Sequence, residues 1–449
     1  MFVVEEVTLP KLGNTGLECP LSEEERAIQE SAQRLAKEVL RPIAEKLDKM
    51  SNEEAVAPDS PIWEAMAQVK ASGLMDLEMM STLDNEQKSR IIPIIFEELA
   101  TGDAGLTLIN MVQGFPEFTA RATGDEELIE RFSGKRGCWL ATLPDRGCDL
   151  VDFDATEVAE GKKQSRPNLH ARIEGDELVI NGQSSSWVSG APIAECALAY
   201  ISCDYGEGLW QPDGSHNLIA VLVPFDVEGV SKGKPLDKVG QRSLPQGEVF
   251  FDNVRLPMKY AVAQGQAAQN SFFGALTFAN MEMAVTFTGV ARAAYEHALA
   301  YVHERVQGGV PIVEHQAVKL QLFGLWQKVE ACRALATRVF NYNYSDNGPH
   351  LLASMTSKTF VTKNCFDVTS EALQLFGGNG LTREYPMEKL LRDARAALIE
   401  DGENSILSLK SATILSEVYK QRMGQSLTLR PRVRTWVGLM GTARQRSEG

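Results

Sequence analysis

The pattern of apolar and polar positions divides the chain into three regions. From about Leu21 to Phe132 apolar residues recur at helical spacing, and the run Ser22-Glu23-Glu24-Glu25 has the form of a capping box. From about Gly137 to Pro257 the period approaches two, as in strands. From about Ala261 onward the helical period returns. The pattern therefore predicts a helical region, a β region and a second helical region.

Individual elements can be predicted within these regions. The run 171–182 predicts two strands around a turn at Gly175-Asp176, and glycine and proline punctuate further short strands, as in a β-barrel or sandwich. Those strands are predicted at Cys196–Ser202, Leu218–Val223 and Gly247–Asp252. The polar stretches Glu157–Asn168 and Asp204–His216 are predicted to be exposed loops. Long amphipathic helices are predicted over Phe272–Glu304, Glu314–Tyr344 and Leu351–Leu375, with another from Ser405.

Composition and charge narrow the class of protein. The 449 residues are 44% hydrophobic and 23% charged, which is typical of globular domains and excludes disorder as the main state. The net charge of -15 opposes general binding to nucleic acid or to an anionic membrane surface. No apolar run has the roughly 18 residues that a membrane helix needs. The seven scattered cysteines, without a CxxC pair, and a start unlike a signal peptide favour the reducing cytoplasm.

Three common catalytic motifs are absent from the sequence. The six histidines form no HExxH, and neither a GxSxG nor a GxxxxGK[ST] motif occurs, so a metal site, a serine hydrolase and a phosphate-loop enzyme are not indicated. Two segments remain open. Gly377-Gly378-Asn379-Gly380 is either a helix-ending turn or a place where backbone N–H groups meet a ligand. The acidic run Glu400–Glu403 follows an apolar stretch, so it is either a solvated loop or holds a general base of raised proton affinity.

Several longer segments resemble the FAD-dependent acyl-CoA dehydrogenase superfamily, in the right order over about residues 20–420. They are LQLFGGNGLTREYPMEKLLRDAR up to Arg395, YVHERVQGGVPIVEHQ over 301–316, Trp187-Val188-Ser189, the stretch 237–257, and Thr142, Pro144, Gly147 and Asp149. The resemblance implies an α+β fold of the acyl-CoA dehydrogenase type. It comprises an N-terminal helical domain over 1–135, a middle β-barrel domain over 136–258, a C-terminal four-helix bundle over 259–424 and a basic extension over 425–449.

The same resemblance implies FAD as cofactor, bound between the β domain and the bundle and reached by a neighbouring subunit of a homodimer or homotetramer. Thr142 would bond the flavin ring, Trp187 would pack on it, and Ser189 would lie near flavin N5. Arg305 would pair with the pyrophosphate of the partner's FAD. The full set of implied cofactor residues is Trp139, Thr142, Cys148, Trp187, Ser189, Arg305, His315, Gln316, Gln374, Gly377, Gly378 and Glu403.

The implied reaction is α,β-dehydrogenation of an acyl-CoA thioester, with an electron-transfer flavoprotein as oxidant. Asp401 stands at the position of the family's usual glutamate base and is one methylene shorter, while the alternative helical position for that base holds Ala279. The implied substrate-side residues are Cys148, Asn280, Glu400 and Gly402. Asn280 replaces a common CoA-binding arginine, Cys148 a serine and Glu400 a tyrosine.

Other functions of the same fold stay open at this stage. The run Asp401-Gly402-x-Asn404 also resembles nitroalkane oxidases, although Ser408 and Ala279 replace the arginine and serine expected there. A flavin monooxygenase and a non-catalytic subunit of a paired acyl-CoA dehydrogenase are the remaining alternatives.

Overall fold

The computed structural model describes residues 11–18, 20–151, 166–210 and 217–423, without the side chains of 148 and 149. Most of the two predicted polar loops and all of the basic extension lie outside these residues. The described chain runs from a helical region through a sheet to a second helical region, so the predicted fold class is confirmed.

In the part of the N-terminal region that the structure describes there are eight α-helices. They are α1 Glu23–Leu35, α2 Arg41–Leu47, α3 Ile62–Ser72, α4 Leu77–Thr82, α5 Asn85–Gly102, α6 Ala104–Val112, α7 Phe115–Thr123 and α8 Glu126–Phe132. The predicted capping box starts α1: Glu25 N–H donates to Ser22 Oγ, and Ser22 N–H donates to Glu25 Oε2 at 2.8 Å. A π-helical turn, Ala36–Leu40, joins α1 to α2.

The middle region is built on one mixed sheet of eight strands. Its strands are β1 Gly137–Leu140, β2 His170–Glu174, β3 Glu177–Gln183, β5 Cys196–Asp204, β6 Leu218–Pro224, β7 Val230–Lys232, β9 Val249–Pro257 and β10 Ala261–Gln264. A separate ladder pairs β4 Val188–Ser189 with β8 Gln246–Gly247. The large sheet runs β10-β6-β5-β2-β3-β9-β7, with β1 beside β5. No hydrogen-bonded ladder joins β10 to β7 within the described residues, so the sheet is an open ladder.

Among the described residues the C-terminal region contains five helices, of which four match the predicted ones to within about six residues, while α12 was not predicted. They are α9 Gln266–Glu304, α10 Gln316–Asn343, α11 Leu351–Phe376, α12 Met387–Ala396 and α13 Asn404–Arg422. A short ribbon of β11 Val306–Gln307 and β12 Val310–Pro311 connects α9 to α10. The glycine-rich run forms a 3₁₀ turn, Gly377–Leu381, that ends α11, and Gly377 has φ +58°.

Helix α9 is held in place by a buried group of charges. The Arg292 guanidinium contacts Glu97 at 3.1 Å and Glu98 at 2.5 Å, and Arg333 on α10 contacts Glu97 at 2.9 Å. Because every member is nearly buried, removal of one partner would leave an uncompensated charge. The cluster therefore fixes α5, α9 and α10 relative to one another, and the candidate site is built on the middle of α9.

Candidate active site

The loop between α12 and α13 carries the predicted base in an unusual backbone conformation. Asp401 has φ +50° and Gly402 has φ +95°. A Cβ on Gly402 would lie 2.7 Å from Leu407, so glycine is required there. The left-handed conformation of an aspartate costs on the order of 1 kcal/mol or more and persists only where surrounding contacts hold it. Asn280 Nδ2 donates to the Asp401 carbonyl at 2.9 Å, and Lys358 Nζ donates to the Gly402 carbonyl at 2.7 Å.

The Asp401 side chain is partly buried. Burial raises the pKa of its carboxyl, and the nearby Lys358 ammonium opposes that rise. Among the described residues, its carboxylate oxygens accept no hydrogen bond. A carboxylate deprived of water and of partners is a stronger base than a solvated one. The geometry is therefore compatible with proton abstraction, and the role itself stays a prediction.

Glu400 and Glu403, on either side of this turn, have other tasks. Glu400 points inward, where its Oε2 accepts from Gln241 Nε2 at 2.8 Å. Burial raises the pKa of Glu400, while Lys238 and the hydrogen bond from Gln241 oppose the rise. Glu403, whose predicted cofactor role stays a prediction, caps α13 by accepting from Ser405 N–H at 2.8 Å. The acidic run is therefore folded into the protein.

Asn280, predicted on the substrate side, also holds the loop. The side chain is completely buried in α9, and its Nδ2 donates to the Asp401 carbonyl, whereas its Oδ1 has no hydrogen-bond partner among the described residues. The substrate-side roles of Asn280 and Gly402 stay predictions, and the side chain of Cys148 lies outside what the structure describes.

The sequence analysis did not single out Glu282, a partly buried acid in the middle of α9. It lies on α9 between the buried residues Met281 and Met283. Burial, together with the charge of Asp401, raises the pKa of Glu282 to about 8. The signal was present in the sequence, because Glu282 is the only acid between Gln266 and Tyr295, a stretch of α9 that is otherwise largely apolar.

A second group of predicted residues forms a patch on the β region. Thr142 Oγ1 lies 2.6 Å from Ser185 Oγ, which also accepts from Trp187 N–H at 3.3 Å. Gln246 Nε2 donates to the Trp187 carbonyl at 3.2 Å and to Ser189 Oγ at 3.0 Å. The Trp187 side chain is 61% exposed. Thr142, Trp187 and Ser189 are thus brought together, with Gln246 as a positioning residue that the sequence did not reveal.

Trp139, a further predicted flavin residue, is instead packed inside. Its ring stacks on Phe115 with centroids 5.4 Å apart and also meets Tyr200 and Phe272. Its Nε1 is buried without a hydrogen-bond partner among the described residues. The side chain is therefore mainly part of an aromatic cluster under the patch.

The third group of predicted cofactor residues lies where α9 and α11 end and where α10 begins. Arg305 follows α9, His315 and Gln316 open α10, and Gln374, Gly377 and Gly378 close α11. All six are exposed. Tyr301 ties the group together, since its ring stacks on Phe376 at 4.0 Å and its hydroxyl accepts from Asn379 Nδ2 at 2.9 Å.

These two surface groups fit a flavin dinucleotide. Trp187 offers an exposed aromatic face, and Ser189 retains a hydroxyl proton because it accepts from Gln246. The Arg305 guanidinium makes no hydrogen bond or ion pair with the described residues and suits a phosphate. A Cβ on Gly377 or Gly378 would meet open space, so the backbone there is accessible to a ligand.

Other ligands find less support in the described part of the chain. No group of three or more His, Cys, Asp or Glu side chains there could hold a metal ion. None of the helices described is both long and apolar enough to cross a membrane.

The chain matches three family models in sequence order. The acyl-CoA dehydrogenase N-terminal, middle and C-terminal domain models cover residues 22–135, 152–254 and 270–414. Among curated proteins, the "Probable acyl-CoA dehydrogenase FadE25" of Mycobacterium tuberculosis is 26% identical over 395 residues, 86% of this chain and 94% of that protein. A 3-(aryl)acrylate reductase of Clostridium sporogenes is 27% identical over 402 residues, 88% of this chain and 99% of the relative.

Solved structures agree at the level of the fold. The butyryl-CoA dehydrogenase of Megasphaera elsdenii superposes with a TM-score of 0.74 at 20% identity, covering 89% of this chain and 100% of that chain. Three domain models in order, full-length relatives and a shared fold lead to one conclusion: the chain belongs to the acyl-CoA dehydrogenase family and is an oxidoreductase.

Proposed function

We propose that this protein catalyses the α,β-dehydrogenation of an acyl-CoA thioester, with Asp401 as the base that removes the α proton. FAD is the cofactor of this family. When bound, FAD supplies the hydride acceptor, flavin N5, that takes up the β hydrogen. The observation that carries the proposal is the partly buried Asp401 carboxyl, without a hydrogen-bond partner among the described residues, on a turn with φ +50°.

Each of the site residues has a separate role in this reaction. The α C–H bond breaks, its proton passes to an Asp401 carboxylate oxygen, and its electron pair forms the new double bond. Asn280 and Lys358 hold the turn, which fixes the position of the carboxylate. Ser189, oriented by Gln246, would donate its hydroxyl proton toward the flavin, and Arg305 would bind phosphate of the partner's FAD.

The proposal includes a second copy of the chain. Three large apolar side chains on the segments that carry Gln316 and Gly377 are strongly exposed. The exposed fraction is 74% for Leu320, 54% for Phe323 and 75% for Leu381. An exposed apolar patch of this kind is typical of a protein interface. A homodimer or homotetramer would cover these side chains and bring Arg305 to the partner's cofactor.

We further propose an electron-transfer flavoprotein as the oxidant. We also propose the cytoplasm as the location, where the five described cysteines, all buried and free, would stay reduced.

Anaerobic mixing of the FAD-loaded protein with a panel of acyl-CoA thioesters tests the proposal. A substrate should bleach the flavin absorbance, and the Asp401→Asn variant should keep FAD but lose bleaching by on the order of 1,000-fold or more. The exposed Asp59→Asn serves as the control and should bleach like wild type. Full bleaching by Asp401→Asn would remove Asp401 as the base.

The same experiment separates the remaining functions. Oxygen consumption with nitroethane and no bleaching by thioesters would indicate the nitroalkane oxidase reaction. Oxygen consumption that also requires a reduced nicotinamide would indicate a monooxygenase. No signal in any assay, with FAD retained, would indicate a non-catalytic paired subunit.

A further inference from the structure

The side-chain amide of Gln246 has its orientation set from both ends. Gln246 is buried on β8, directly opposite Ser189 on β4. Its Nε2 donates to Ser189 Oγ at 3.0 Å and to the Trp187 carbonyl at 3.2 Å. Its Oε1 accepts from Lys238 Nζ at 2.8 Å. Because a carbonyl can only accept and an ammonium can only donate, these partners allow one orientation of the amide.

This orientation decides what the Ser189 hydroxyl can do. A serine hydroxyl has one proton to donate and lone pairs with which to accept. Since Gln246 Nε2 only donates, Ser189 Oγ accepts in that bond and keeps its proton for another partner. No acceptor among the described residues takes this proton. Ser189 is half-buried near the exposed Trp187 ring, so its proton is available to a ligand bound on the patch.

Lys238 is itself held in place beside the amide. It lies on the segment between β7 and β8, where its carbonyl accepts from the Arg242 guanidinium at 2.9 Å. Its Nζ donates to the Leu244 carbonyl at 2.7 Å, in addition to Gln246. Burial lowers the pKa of Lys238 to about 8, while the charges of Glu400 and Asp393 oppose the fall, so the group is an ammonium at pH 7.

We propose that Lys238 is a positioning residue for the cofactor, which fixes the Gln246 amide and thereby makes Ser189 a hydrogen-bond donor toward the bound flavin. The inference rests on the proposed function for the contact between Ser189 and flavin. Without the ammonium, Gln246 Oε1 loses its donor and the amide is free to turn. A turned amide would present its oxygen to Ser189, and the hydroxyl proton would then bond Gln246 instead of the flavin.

A double-mutant cycle on the FAD-loaded protein tests the inference without any substrate. The measured quantity is the midpoint potential of the bound flavin at pH 7. A donor toward the flavin favours its electron-rich reduced form, so Ser189→Ala and Lys238→Met should each lower the potential. If Lys238 acts through Ser189, Lys238→Met should have a smaller effect in the Ser189→Ala background than in wild type. Equal effects in both backgrounds would show a purely structural or electrostatic lysine and would overturn the inference.

Three further variants complete the cycle. Lys234→Met, at an exposed lysine on the same segment, should leave the potential unchanged. Lys238→Arg, whose side chain also only donates, should keep most of the wild-type potential. Lys238→Gln can still donate to the Leu244 carbonyl, so it replaces Lys238→Met if that variant does not fold, and it must show the same dependence on Ser189.

Bleaching by acyl-CoA thioesters separates this inference from the proposed reaction. Dependence of the Lys238 effect on Ser189, with no bleaching by any thioester, would support the inference and count against the dehydrogenase reaction alone. Bleaching with equal effects in both backgrounds would overturn the inference alone. A Ser189→Ala variant with the wild-type potential would overturn the inference and also remove Ser189 from the flavin contacts.

Discussion

Asp401 combines a left-handed backbone with a carboxyl that has no partner among the described residues. Ordinary loop aspartates avoid both features, since each costs free energy that the rest of the fold must offset. The shorter side chain of aspartate, compared with the glutamate common in the family, makes the position of the backbone more important. Asn280 supplies one of the two hydrogen bonds that set this position.

Replacement of Asn280 by leucine should separate positioning from substrate binding. The loss of the 2.9 Å hydrogen bond to the Asp401 carbonyl should let the turn relax, and a displacement of about 1 Å can lower kcat by on the order of 100-fold. KM should change little if the amide acts only on the loop, to which its Nδ2 already donates. Asn270→Leu, which loses only an exposed hydrogen bond on the same helix, is the control. Steady-state kinetics with a raised KM and unchanged kcat would restore the CoA-binding role.

At the scale of elements, the candidate site is a junction of α9, α11 and the loop before α13. Lys358 on α11 is fully buried and connects the other parts, since Nζ donates to the Gly402 carbonyl at 2.7 Å and to Asn404 Oδ1 at 2.9 Å. A cation at this junction has two effects. It satisfies backbone and side-chain oxygens, and it favours the ionised form of Asp401.

The Lys358→Met variant should show both effects. The loss of two charge-assisted hydrogen bonds should lower the free energy of unfolding by roughly 2–4 kcal/mol. Because the cation lowers the pKa of Asp401, its removal should raise that pKa and shift the acidic limb of the pH–rate profile to higher pH. Lys363→Met, at an exposed site on the same helix, should do neither. Chemical denaturation and a pH–rate profile measure the two effects, and an unmoved acidic limb would contradict the electrostatic argument.

At the scale of the whole molecule, the net charge of -15 opposes the proposed ligands, because FAD and CoA are both anions. Binding must depend on local groups, such as the Arg305 guanidinium and the exposed backbone near Gly377. These groups lie beside the exposed apolar side chains Leu320 and Phe323. Oligomer formation and FAD binding should therefore be coupled.

Introduction of charge on that surface tests the coupling. The double variant Leu320→Lys with Phe323→Lys would bury two unpaired charges in the interface, so it should dissociate the oligomer and reduce FAD occupancy. Phe118→Lys, at a half-exposed aromatic residue on α7, should leave both unchanged. Light scattering after gel filtration gives the mass, and flavin absorbance gives the occupancy. A wild-type monomer that retains FAD would rule out the shared site.

The sequence by itself determined the order of helical, β and helical regions, because periodicities of 3.6 and 2 reflect which side of each element is buried. It also identified Asp401 as the candidate base and grouped Thr142, Trp187 and Ser189, since these lie in continuous motifs. Only the tertiary structure decided that Asn280 holds the loop. That contact joins residues 121 positions apart. Burial and neighbouring charge, which set the proton affinity of a carboxyl, are properties of the packed chain.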